Sequence, residues 1–313
     1  MHQCNFKGNR PYVCCNTTSD ERTDATKDQL ESNIITDTII SHRNYHLLPQ
    51  NVCGPIIINI PRIMNGELSD LGEFPWMALI AYTTDADGKL IAFNCAGTLI
   101  TERFVLTAAH CTGDSMIGVR LGEYDLQRKE DCDPATGYCA PPTQDFLIES
   151  VFIHPQYKAN RLLNDIALIK LYGTADLSYE NVKPICLPTQ DDEMNGHVAV
   201  VSGWGVTENQ TRSPILRQVP VEVVEFSECQ KIYRPKVPLT RNQVCAGISG
   251  EKNSCAGDSG GPLKYVGPVH GSPRFIQYGI VSYGPRKCGT DGEPDIYTKI
   301  FSYMNWILDH LDK

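Results

Sequence analysis

Gly257-Asp258-Ser259-Gly260-Gly261-Pro262 is the stretch on which the reading of this chain turns. A serine hydroxyl is a poor nucleophile until a neighbouring base takes its proton. Glycines on both sides let the backbone approach another molecule closely and aim N–H groups at a developing oxyanion. Alone, the segment reads equally well as a glycine-rich turn. Two further segments change that. Thr107-Ala108-Ala109-His110-Cys111 sets a histidine just after an apolar run, and Asn164-Asp165-Ile166-Ala167-Leu168 sets a carboxylate just before another. A lone histidine or aspartate is ordinarily a core or surface residue. Three such segments in the order His, Asp, Ser point to a nucleophile, its base and the group that orients the base.

Around these segments the texture is that of short strands. From Ile63 onward, apolar runs rich in β-branched and aromatic residues alternate with Gly, Pro and Asn: Trp76–Tyr82, Leu90–Ile100, Phe104–Ala109, Phe146–Ile153, Val198–Val201, Val221–Phe226 and Phe275–Tyr283. The pattern predicts an all-β barrel or sandwich. The carboxyl end differs. Phe301, Met304, Leu308 and Leu311 follow a helical spacing, with Ser302 as the expected cap. Residues 16–50 are polar, carry few aromatic residues and read as a linker. Asn16 and Asn209 each head an Asn-X-Thr sequon for glycosylation.

Composition excludes several classes. The 313 residues are 41% hydrophobic, enough for a substantial core. Lys and Arg number 28 against 37 Asp and Glu, a net charge of −9 that argues against a nucleic-acid binder. No apolar run approaches the roughly 18 residues that a membrane helix needs. The 13 cysteines form no Cys-X-X-Cys pair and no zinc-finger spacing, so disulfides in an oxidising compartment are expected. Residues 1–10 have no apolar stretch of the signal-peptide kind, and the amino terminus is expected to be incomplete.

On the three segments and their order, residues 63–313 resemble a trypsin/chymotrypsin-family serine protease domain. The resemblance implies two six-stranded antiparallel β-barrels with the active site between them and a carboxyl-terminal helix. It implies that His110 is the general base, that Asp165 orients it, and that Ser259 attacks the scissile carbonyl. The N–H groups of Gly257 and Ser259 would form the oxyanion hole. Ser282-Tyr283-Gly284 matches the segment whose backbone pairs with an extended substrate, with Ser282 expected to hydrogen-bond Asp165. Pro61-Arg62-Ile63-Met64-Asn65-Gly66 resembles the family's activation site, with Met64 and Asn65 in place of the usual Val and Gly. Cleavage after Arg62 would free the ammonium of Ile63 to meet Asp258 and assemble the oxyanion hole.

The same resemblance pairs ten cysteines: Cys95–Cys111, Cys229–Cys245, Cys255–Cys288, Cys132–Cys139 and a tether, Cys53–Cys186. Cys4, Cys14 and Cys15 remain. The run from Cys4 to Cys15 resembles the last third of a clip domain, the module that precedes the protease in arthropod cascade enzymes. Its first three cysteines are absent. The implied layout is a partial clip domain over 1–15, a linker and activation segment over 16–62, and a protease domain over 63–313. The implied protein is a secreted zymogen of an immune or developmental cascade. Its partners would be a protein substrate, an upstream activating protease and a serpin-type inhibitor, with no nucleic acid and no membrane span.

Specificity departs from the trypsin pattern. The residue six before the nucleophile, Asp in trypsin-like members, is Asn253, flanked by Ser254. The usual Gly of the pocket wall is Asp295. A carboxylate transposed onto the neighbouring strand still favours a basic P1 residue, because an unpaired one is costly to desolvate. The rival is broad or apolar specificity of the crab collagenolytic or digestive kind. A rival of another class, a non-catalytic binding homologue, is disfavoured because Ser259, His110 and Asp165 are all present. No cofactor is required by this reading. Calcium is an expectation at Glu123 and Asp125, whose loop holds that ion in some relatives. Pro294 stands where sodium-activated relatives carry an aromatic residue, which argues against sodium control.

Overall fold

The computed structural model describes residues 3–7, 10–13, 32–56, 68–85, 87, 90–161, 163–192, 194–207, 211–233, 238–247, 257–284 and 293–313, with the first two stretches as backbone. Those first two are strands, β1 (Gln3–Lys7) and β2 (Arg10–Val13), paired antiparallel. The remaining strands close into two antiparallel barrels of six strands each. The first holds β3 (Met77–Thr83), β4 (Ile91–Thr101), β5 (Phe104–Thr107), β6 (Met116–Leu121), β7 (Gln144–Ile153) and β8 (Ala167–Leu171). The second holds β9 (Val198–Gly203), β10 (Arg217–Val224), β11 (Gln243–Ala246), β12 (Pro262–Val269), β13 (Ser272–Tyr283) and β14 (Asp295–Lys299). Closure leaves neither barrel an open edge.

Burial explains the choice of strand residues. All four residues of β5 are buried, as are Ala167, Leu168, Ile169 and Leu171 of its neighbour β8. The seam between the barrels is aromatic: Phe74 and Trp76 meet Phe275 of β13 with ring centroids 5.8 and 5.3 Å apart. Such rings combine large apolar area with edge-to-face attraction.

The carboxyl end is shorter in helix than its periodicity predicts. Helix α2 (Phe226–Tyr233) follows β10, and at the carboxyl end a 3-10 turn, Ile300–Tyr303, leads into α3 (Met304–Leu308). Ser302 lies inside the turn, and the helix starts from Tyr303 without a side-chain cap. Ile300, Phe301 and Tyr303 are all buried, so packing pins the chain before the helix begins.

The stretch read as a linker is partly structured, which corrects that expectation. A helix, α1, spans residues 32–40 and a 3-10 turn spans Tyr45–Leu47. Ile39 is wholly buried and Leu48 nearly so, both in the core of the first barrel. Asn44 Nδ2 donates to the Leu308 carbonyl at 2.9 Å, and Arg43 pairs with Asp312 at 3.1 Å. Few apolar residues suffice here, because the barrel and α3 supply the other half of the core. Beyond them, Gly54 pairs its backbone with Phe275 and Pro184, beside the Cys53–Cys186 disulfide.

Candidate active site

Strand β5 delivers His110. It ends in a 3-10 turn, Ala109–Cys111, which the Cys95–Cys111 disulfide and a hydrogen bond from Tyr82 Oη to the Cys111 carbonyl hold in place. The His110 backbone N–H donates to Asp165 Oδ1 at 2.9 Å, and His110 Nδ1 lies 2.8 Å from Asp165 Oδ2. A carboxylate accepts only, so this contact puts the proton on Nδ1 and leaves Nε2 free to act as a base.

Asp165 is wholly buried. A buried carboxylate is costly without donors. Three serve its two oxygens: the His110 backbone N–H, His110 Nδ1 and Ser282 Oγ, the last at 2.6 Å. Thr298 Oγ1 also donates to the Asp165 carbonyl at 2.9 Å. Asn164 just before it adopts φ 55°, a left-handed conformation that Asn tolerates better than most residues, and its Oδ1 accepts from Tyr303 Oη. Asn164 belongs to the segment that carries Asp165, whereas Thr298 and Tyr303 lie in no sequence motif.

The serine turn is pinned between the barrels. Ala96 N–H donates to the Ser259 carbonyl at 2.8 Å and Gly260 N–H to the Val281 carbonyl at 2.9 Å. A Cβ on Gly260, at φ 78°, would lie 2.2 Å from Thr107 Oγ1 and 3.2 Å from Cys111 Sγ. Only glycine lets the serine turn close onto the turn that carries His110. Gly257 has φ 105°, and Asp258 Oδ1 accepts from the Gly205 N–H at 2.9 Å. A serine, a base with a free nitrogen and a buried carboxylate behind it can carry out acyl transfer. His110 also lies beside the sulfurs of Cys95 and Cys111, but these are bonded to each other and offer a metal nothing.

Tyr283 and Gly284 end β13 and follow it. Asp295 opens β14 opposite Ala246 and is wholly buried. A Cβ on Gly284 would lie 2.3 Å from Asp295 Oδ1, so the carboxylate faces the backbone just after β13. Tyr233 donates to the Pro294 carbonyl, and burial above all, then Asp295 and Glu293, pushes its phenol up. Arg62, Ile63, Asn253, Ser254, Asn16, Asn209 and the Cys255–Cys288 pair lie outside the described residues. The remaining bridges are Cys53–Cys186, Cys95–Cys111, Cys132–Cys139 and Cys229–Cys245.

Glu123 and Asp125 are both buried, but their oxygens have other partners. Glu123 accepts from the Tyr124 N–H and pairs with Arg120 at 3.3 Å; Asp125 pairs with Arg128 at 3.2 Å. Burial and the nearby Asp131 raise the Glu123 carboxyl. Among the described residues these carboxylates do not converge with a third on one point, and each is committed to an arginine.

Comparison with known proteins agrees with this architecture. The Trypsin family model matches residues 63–307, and the chain belongs to that family of serine proteases. Phenoloxidase-activating factor 3 of Holotrichia diomphalia is 41% identical over 259 residues, covering 80% of this chain and 72% of that protein. Melanization protease 1 of Drosophila melanogaster is 40% identical over 265 residues, covering 80% of this chain and 66% of that one. The crystal structure of Drosophila Grass, a clip serine protease of the Toll pathway, superposes with a TM-score of 0.74 at 34% identity, covering 88% of this chain and 77% of that one. Among the described residues no helix is long and apolar enough to cross a membrane.

Proposed function

We propose that this chain is a secreted zymogen whose cleavage after Arg62 yields an endopeptidase of an extracellular cascade. In this reading Ser259 is the nucleophile, His110 the base, Asp165 the group that orients it, and Gly257 and Ser259 the oxyanion donors. The observation that carries it is the Ser282–Asp165–His110 chain of contacts beside a serine turn locked onto the same strands. The relatives named for phenoloxidase activation, melanization and the Toll pathway support the cascade setting, with a protein substrate, an upstream protease and a serpin-type inhibitor as partners.

The pocket favours a basic P1 residue. The buried Asp295 facing Gly284 supports this, because a Lys or Arg side chain would bring it a counter-charge where water is scarce. Its intrusion on the wall favours the slimmer Lys over the planar fork of Arg.

The test is active-site labelling. After cleavage at Arg62, an organophosphate should label one serine per chain, and Ser259→Ala should abolish the label and lower turnover by several orders of magnitude. Persistent labelling of Ser259→Ala, or full activity of an uncut Arg62→Gln chain, would overturn the reading.

A further inference from the structure

Arg212 stands beside the serine turn and has no place in the chemistry above. It is bridged antiparallel to Val206, next to the Thr207 N–H that donates to the Thr211 carbonyl at 2.9 Å. Its side chain reaches across the cleft. One guanidinium nitrogen donates to the carbonyl of Phe93 on β4, and Nε lies 3.7 Å from where a Cβ on Gly257 would stand. The side chain thus spans from the first barrel to the oxyanion turn. It is solvent-exposed and makes no ion pair among the described residues. The other cation near Phe93, Arg120, lies over its ring at 5.4 Å but is committed to Asp145 at 2.7 Å and Glu123 at 3.3 Å.

The side of the cleft follows from His110. Its Nδ1 edge faces Asp165 and Ser282, which leads into Tyr283 and Gly284, the segment read as pairing with the acyl half of a substrate. Its Nε2 edge faces the Cys111 sulfur at 3.7 Å, bridged to Cys95 two residues after Phe93. The departing half of a cleaved peptide therefore leaves over Phe93 and Arg212. There an exposed guanidinium with donors to spare meets the residues just beyond the scissile bond.

Resting on the endopeptidase reading, we propose that Arg212 is a specificity residue that selects peptides with an acidic side chain one or two positions beyond the scissile bond. A carboxylate there would accept from the guanidinium while Arg212 keeps its bond to Phe93. A lysine there would meet like charge.

The experiment compares paired peptides of one sequence, with Asp or Lys at P1′ or at P2′, on the activated enzyme and its variants. The parent should favour Asp over Lys by about tenfold in kcat/KM at one of these positions. That ratio should fall to near one in Arg212→Gln, be retained in part in Arg212→Lys and invert in Arg212→Glu. A ratio near one in the parent, or the same ratio in all variants, overturns this inference and leaves the endopeptidase reading standing. An enzyme that cleaves neither these peptides nor an amide with no residue beyond the bond overturns both.

Discussion

Lys264 Nζ lies 2.7 Å from Ser202 Oγ and 3.7 Å above the ring of Phe74, with its side chain wholly buried between β12 and β9. Ser202 in turn donates to Met77 Sδ at 3.1 Å. Around this amine the charged group is Glu73, itself held by the Asp70 N–H and Gln218 Nε2; Gln277, its register partner on β13, is neutral. Burial pulls the ammonium down to about 7, with Glu73 opposing. The unfolded chain keeps this proton up to about pH 10.4, so raising pH from about 7 toward that value favours the folded state. Lys264→Met should remove that slope and stabilise the protein by about 1–4 kcal/mol at neutral pH. Guanidinium unfolding midpoints across this window read both effects. A variant less stable than the parent at pH 7 would show that the lysine is a net support.

Gly260→Ala should cost about 3 kcal/mol or more, since both a strained φ and a steric clash oppose it. The new carbon would meet Thr107 Oγ1 at 2.2 Å and the Ala96 carbonyl at 2.4 Å. Thermal midpoints and yields of folded protein measure the loss; a variant as stable as the parent would mean that the serine turn sits elsewhere.

Asp165→Asn should preserve the fold and lower kcat by about ten-thousandfold, because an amide cannot fix the His110 tautomer. Ser282→Ala removes one of three donors to the same carboxylate and should cost about tenfold. Steady-state rates on one amide substrate test both, and an Asn variant within tenfold of the parent would remove Asp165 from the role proposed for it.

Asp295→Gly should abolish a basic P1 preference, and Asn253→Asp in that background should restore it with Arg favoured. Profiling a P1 library decides this. Phe or Leu outpacing Lys and Arg in the parent would favour the broad-specificity rival.

The amino-terminal segment should stay bound without its disulfide. With Cys53→Ser and Cys186→Ser, a chain cut after Arg62 should still elute as one species, held by the burial of Ile39 and Leu48. Adding Ile39→Asp should release the segment. Release in the cysteine variant alone would show that the noncovalent contacts do not suffice.

The site was legible where chemistry sits in short strings. Residues 107–111, 164–168 and 257–262 each name their chemistry locally, and the fold brings His110 and Asp165 together across 55 positions. Thr298 and Tyr303 were not legible: each meets the Asp165 loop from more than 130 positions away, through hydroxyls that chains of this kind carry throughout. The burial of Lys264 was not legible either, for a physical reason. Strict alternation would turn it outward beside the buried Leu263, but a bulge between the two shifts the register and buries both. The short strands β11 and β14 offer too few residues for a pattern. Helix α1 hid because its apolar partners lie in the barrel and at the far carboxyl end.

That helix has a consequence for how the enzyme travels. Severing the bond between Arg62 and Ile63 would create a new chain end without shedding a fragment. Apart from one added water the mass would not change, and hydrodynamic radius and sedimentation would stay as they were, so switching on would escape sizing of the native, unreduced protein. Anything joined upstream of residue 32 would stay tethered to the protease through the contacts of Asn44 and Arg43 with Leu308 and Asp312. Activity would then remain wherever that cargo is moored, and its spread would be set by anchorage rather than by diffusion of a liberated barrel pair.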